Sequence, residues 1–123
     1  MLTYLGVALA GAIGAPVRYL VDLGVTAAGG RTFPLGTLVV NVSGSFLLGL
    51  VAGLALYHGF ADAPKAVLGA GFCGAYTTFS AFAVETVLLT DEGAPRAAIT
   101  NTVVSLVAGP VAAALGMAVA AAF

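Results

Sequence analysis

The chain alternates long uncharged stretches with short clusters of charge. Residues 1–17 hold no charged side chain, and Arg18 and Asp22 close that stretch. A second uncharged run covers 32–61, between Arg31 and Asp62. A third lies between Lys65 and Glu85, and a fourth runs from 97 to the end. A helix needs about 20 mostly apolar residues to cross a bilayer. Every run meets or approaches that length, the third by continuing past Glu85 through Val87-Leu88-Leu89. The connectors are short and rich in turn residues: Ala28-Gly29-Gly30-Arg31, Gly59-Phe60-Ala61-Asp62-Ala63-Pro64, and Thr90-Asp91-Glu92-Gly93-Ala94-Pro95. Short connectors predict antiparallel neighbours. Pro34, Pro64 and Pro95 fall near helix starts, where a missing N–H costs little. Pro16 and Pro110 fall inside spans and predict kinks. The pattern predicts an all-α membrane protein with four transmembrane helices, residues 1–123 forming one transmembrane domain. The first run has no basic leader and no clear cleavage site, so it reads as a retained span.

Composition agrees. Of 123 residues, 61% are hydrophobic and 7% charged, too few polar groups to cover a small soluble domain. A net charge of −1 leaves no basic stripe for nucleic acid. A single cysteine, Cys73, and a single histidine, His58, exclude an intrachain disulfide and a Cys- or His-based metal cluster. They also leave no nucleophile–histidine constellation for an enzyme.

The polar residues inside the spans carry the remaining information. Thr37, Asn41 and Ser45 are spaced by four and share one face of the second helix. Asn101 and Ser105 share a face of the fourth. Such stripes either glue helices together or line a track of uncharged donors for a weakly held anion. The third span carries Gly69, Gly71 and Gly74 and then Thr77-Thr78, which predicts a break near mid-membrane. Carbonyls freed there must be satisfied by protein or by a hard cation such as Na⁺. Phe79 and Phe82 follow on one face, and ring edges attract anions, although the pattern alone favours packing. Small residues also recur every fourth position, at Gly6-Ala10-Gly14, Ser45-Gly49-Gly53 and Ser105-Gly109-Ala113, a spacing that suits close packing within the chain.

Four spans put both termini and Lys65 on one side, and Arg18, Arg31 and Arg96 on the other. With Arg18 buried, two cations oppose one, and the positive-inside rule gives no clear orientation. Four helices enclose an aqueous path poorly, so transport predicts an oligomer. A chain inserting both ways up would pair antiparallel about an axis in the membrane plane.

Four segments resemble one family, the Fluc fluoride channels, also called the CrcB family. They are the Gly11-Ala12-Ile13-Gly14-Ala15-Pro16-Val17-Arg18-Tyr19 stretch, the stretch from Pro34 through Gly36-Thr37-Leu38 and Asn41 to Phe46, the Gly71 to Phe82 stretch with Thr77-Thr78-Phe79-Ser80, and the looser Asn101 to Gly109 segment. The resemblance implies an antiparallel dual-topology homodimer in the cell inner (plasma) membrane, with two passive fluoride pathways that export fluoride from the cytoplasm. It implies Asn41, Phe79, Phe82, Ser80, Ser105, Thr37 and Arg18 along the pathway. It also implies a structural Na⁺ at the dimer interface, held by the main-chain carbonyls of Gly74 and Thr77 from both subunits. Glu85 matches a family carboxylate without an assigned role. Two positions depart from the pattern: Ala81 stands where many members have Thr, and Asn101 where several have Tyr. The alternative is a small drug/proton antiporter. That class needs a carboxylate in the first span, and Asp22 sits at the end of the uncharged run.

Overall fold

The computed structural model describes residues 1–29 and 32–123. Arg31, one of the cations in the charge count, lies outside these. Helix α1 spans Leu2–Gly29 and α2 spans Leu35–His58. The third rod is composite. It holds α3 (Asp62–Ala66), a π-helical segment (Val67–Cys73), α4 (Gly74–Tyr76) and α5 (Phe79–Asp91). Helix α6 spans Pro95–Ala121. Among the described residues, four stretches are therefore long and apolar enough to cross a membrane: Leu2–Gly29, Leu35–His58, Asp62–Asp91 and Pro95–Ala121.

The first helix does not stop where the charge pattern ends. It continues past Arg18 and Asp22 to Gly29. Charge marks where a side chain meets polar surroundings, whereas the backbone stops only where winding becomes costly. Nothing between Leu23 and Ala28 imposes that cost except the single Gly24. Arg18 and Asp22, one turn apart, thus become half-buried residues on one face of a long helix. Helix α2 begins behind Pro34 and ends at Gly59, whose φ of 64° only glycine adopts without strain. Pro95 occupies the first turn of α6, and α1 and α6 run through Pro16 and Pro110.

Close backbone approach holds the rods together. Helix α2 packs most closely on α6. A Cβ added at Gly49 would overlap the Ala113 backbone, and one at Gly116 would overlap the Phe46 carbonyl. Gly53 faces Met117 and Ala120 in the same seam. The small-residue stripes of the second and fourth spans therefore meet each other. The stripe of the first span meets the π segment: a Cβ on Gly14 would lie 2.6 Å from the Phe72 carbonyl oxygen, and one on Gly71 2.8 Å from that of Val7. In lipid such contacts supply dispersion energy that larger side chains would block. At the far end of the α2–α6 seam, His58 Nε2 lies 2.7 Å from the Ala120 carbonyl oxygen. The outer surface is apolar, with Leu5, Leu9 and Ile13 exposed on α1 and Val103, Leu106 and Val107 on α6. Lipid, not water, suits that surface.

Candidate functional site

The functional geometry starts at a short irregular step. The helix stays wound through the glycines of the π segment and ends at Tyr76. Thr77 (φ −76°, ψ 159°) and Thr78 (φ −148°, ψ 123°) are extended, and winding resumes at Phe79. Two extended residues interrupt the i→i−4 ladder, and the freed groups need partners. Asn41 on α2 supplies two of them. Its Nδ2 donates to the Thr78 carbonyl at 2.8 Å, and the Thr78 N–H donates to its Oδ1 at 2.8 Å. The Thr78 hydroxyl in turn accepts from the Ala81 N–H at 3.2 Å and caps α5. On the other side of the step, Thr77 N–H and Oγ1 both donate to the Cys73 carbonyl at 2.9 Å. Ser43 Oγ and Tyr76 Oη, 2.9 Å apart, join α2 to the end of α4, where Tyr76 stacks on Phe72 at 5.6 Å between ring centroids.

Two cavities flank the Asn41–Thr78 pair. The larger, about 430 Å³, is lined by Arg18, Tyr19 and Asp22 of α1, Thr37 of α2, and Thr78, Ser80 and Ala81 near the start of α5. The smaller, about 270 Å³, is lined by Asn41, Gly44, Ser45 and Leu48 with Thr77, Thr78 and Phe79. Thr78 lines both. An Asn amide nitrogen carries two protons, so Asn41 keeps one N–H beyond the bond to Thr78. Arg18, the Ser hydroxyls and that proton give the two cavities donors for an anion, whereas the Thr37 and Thr77 hydroxyls spend their protons on Glu85 and on the Cys73 carbonyl. Asp22 is the one carboxylate of the two linings among the described residues.

The match that decides the family extends far beyond these cavities: residues 5–117 fit the family model described as CrcB-like protein, Camphor Resistance (CrcB). The chain belongs to the CrcB family. Relatives in this family carry the name fluoride-specific ion channel FluC. The chain is 48% identical to FluC 2 of Mycolicibacterium paratuberculosis over 117 residues, 95% of this chain and 93% of that relative. It is 46% identical to FluC of Shewanella putrefaciens over 106 residues, 86% of each chain. It is 44% identical to FluC 2 of Cutibacterium acnes over 118 residues, 95% of this chain and 96% of the relative. Like them in family and with four spanning helices, this CrcB chain is a multi-pass membrane protein.

Most of the residues expected along a CrcB pathway come together. Arg18, Thr37 and Ser80 share the larger cavity, and Asn41 and Phe79 the smaller. Phe79 is 80% exposed, and its ring centroid lies 5.8 Å from that of Phe82 at 50° between planes. Phe82 and Ser105 line neither cavity. Asn101 points inward instead of lining a track: it is 2% exposed, and its Nδ2 donates to Thr86 Oγ1 at 2.9 Å. Thr86 passes its own proton to the Phe82 carbonyl at 2.8 Å, so this asparagine stitches α6 to α5.

The same step bears on the carbonyl set expected for a cation. Thr78 N–H, which would close a helical turn onto the Gly74 carbonyl, goes to Asn41 instead. Gly74 is exposed, and a Cβ there would meet only the Gly69 carbonyl oxygen, at 3.8 Å. Carbonyl oxygens suit a hard cation, and the diverted Thr78 N–H leaves that of Gly74 without its usual helical partner. Among the described residues, no three His, Cys, Asp or Glu side chains converge as a side-chain metal site would need.

The sequence pattern did not link Thr37 to Glu85, 48 residues apart. Thr37 Oγ1 donates to Glu85 Oε1 at 2.7 Å, and Glu85 Oε2 is buried with no partner among the described residues. No periodicity joins residues on different helices. The only signal was a carboxylate inside an apolar span.

Proposed function

We propose that this chain forms a passive, fluoride-selective channel in the cell inner (plasma) membrane, as an antiparallel dual-topology homodimer with two pathways. The observation that carries this reading is the pair of donor-lined cavities on either side of the Asn41–Thr78 bonds. In this reading the extended step at Thr77-Thr78 is the mid-membrane break of the third span. Fluoride passes from the Arg18, Thr37 and Ser80 cavity toward the free N–H of Asn41 and the edges of Phe79 and Phe82, and Ser105 joins the path in the assembled dimer. The FluC names of the relatives support fluoride as the ion. An inside-negative membrane potential expels the anion without other energy.

A structural Na⁺ would lie at the dimer interface on the Gly74 and Thr77 carbonyls of both copies. Gly74 is exposed, as a residue shared with a second copy must be before assembly. Bound there, a cation supplies compensation for carbonyl charge in lipid.

One observation favours the drug/proton antiporter as a second reading: α1 continues past Asp22, so this carboxylate lies within the first helix. One experiment separates the two. Purified protein in liposomes loaded with fluoride is expected to release it, and not chloride, once a K⁺ ionophore removes the electrical brake. Chloride release at a similar rate overturns selectivity. No fluoride release, together with transport of an organic cation driven by a proton gradient, favours the antiporter.

A further inference from the structure

Glu85 is the carboxylate that the proposed path leaves unused. It stands on α5 with Oε1 2.7 Å from Thr37 Oγ1 and with Oε2 buried and unpartnered among the described residues. Two cavities meet at this pair. Thr37, itself buried, lines the donor cavity with Arg18, Thr78 and Ser80. Glu85 lines a second cavity of about 300 Å³ with Asp22, Thr26, Thr32 and Glu92. Asp22 lines both.

The chemistry of one hydroxyl couples the two cavities. Thr37 has one proton to give. An ionised carboxylate only accepts, so the Thr37 proton is held by Glu85, and the hydroxyl offers only lone pairs to the donor cavity. Lone pairs repel an anion. A protonated carboxyl can donate from Oε1 to Thr37 Oγ1 across the same distance. The hydroxyl then turns its own proton toward the donor cavity, where an anion accepts it in a charge-assisted bond.

We propose that Glu85 is a positioning residue that sets the direction of the Thr37 hydroxyl, so that a proton on Glu85 converts Thr37 into a donor for the anion. This rests on the fluoride-channel reading and assigns that same site a regulation by acid. The proton comes from bulk water through the Glu85 cavity and returns there, and no bond other than O–H is exchanged. The groups around Glu85 are Asp22 on α1, with Arg18 and Tyr19 one turn earlier, Thr37 on α2, and Glu92 just past the end of α5. Arg96, the charged residue of α6, is exposed and lines neither cavity. The device suits its setting, because fluoride enters cells as neutral hydrofluoric acid when the medium is acidic.

The test is fluoride current across planar bilayers between about pH 4 and about pH 8, a window that starts near the ordinary glutamate pKa of about 4.3. Neutral hydrofluoric acid carries no current and does not contribute. The unmodified protein is expected to gain about tenfold in current toward acid, the size of one charge-assisted hydrogen bond. Glu85→Gln, which can donate to Thr37 at any pH, is expected to be flat and near the acid level. Thr37→Val is expected to be flat and low, while Thr37→Ser keeps the slope. Parallel slopes in the unmodified protein and Glu85→Gln overturn the inference while leaving the channel intact. Should Glu85→Gln not fold, equal slopes in Thr37→Val and Thr37→Ser overturn it alike. Absence of fluoride current at every pH in the unmodified protein overturns the channel reading itself.

Discussion

Two asparagines, Asn41 and Asn101, both bond to the third rod and look alike in sequence. Each lies in a polar stripe on a spanning helix. Their surroundings differ in what the amide binds. Asn41 pairs with the backbone of Thr78, so it replaces two missing helical hydrogen bonds and still keeps an N–H. Asn101 is almost fully enclosed, and its amide goes to the Thr86 side chain in an unbroken helix. A polar residue beside irregular backbone is committed to that backbone and is left beside whatever space the irregularity opens. A polar residue between two regular helices can only join them.

That contrast can be broken by substitution. Asn41→Asp is expected to have the largest effect. An aspartate still accepts from Thr78 N–H but cannot donate to its carbonyl, and it adds negative charge beside the proposed anion path. Lost donation and added repulsion together exceed about 3 kcal/mol, so fluoride flux in liposomes should fall at least about 100-fold. Unchanged flux would take Asn41 out of the pathway. Gly116→Val comes next and touches neither asparagine. Its side chain must displace the Phe46 carbonyl region of α2, at an overpacking cost of about 1–3 kcal/mol. Denaturant unfolding in detergent should show the loss, and a wild-type midpoint would mean that the seam yields easily. Asn101→Ala is the smallest. Interhelical hydrogen bonds in membranes contribute about 0.6 kcal/mol on average and up to about 1.7 kcal/mol. Stability should drop within that range while the fluoride-to-chloride ratio stays fixed. A changed ratio would return Asn101 to the pathway.

The same contrast explains what could be read from the sequence. The four spans were legible because uncharged length is a property of contiguous residues. The second span was well bounded, since Pro34 and Gly59 punctuate the backbone itself. The end of α1 was legible from its connector, Ala28-Gly29-Gly30-Arg31, which meets the helix end at Gly29, but not from Arg18 and Asp22, which describe side-chain surroundings and leave the winding untouched. The face shared by Thr37, Asn41 and Ser45 follows from helical period, and all three do border the two cavities. What those residues bind was out of reach. Thr78 lies 37 residues from Asn41, and Glu85 lies 48 from Thr37. Stripe periodicity also could not separate Asn101 from a track residue, because the distinction rests on Thr86 across the α5–α6 contact.

The extended pair Thr77-Thr78 has a further consequence in the language of dipoles. It cuts one rod into two pieces whose opposite ends meet at the same place. The piece ending at Tyr76 presents carbonyls and so a partial negative charge, while the piece starting at Phe79 presents N–H groups and a partial positive charge. A single interruption thus gives attraction for a cation and for an anion within a few residues, without placing a formal charge in the membrane. Sodium at the carbonyl end and fluoride near the amide end would be two uses of one cut.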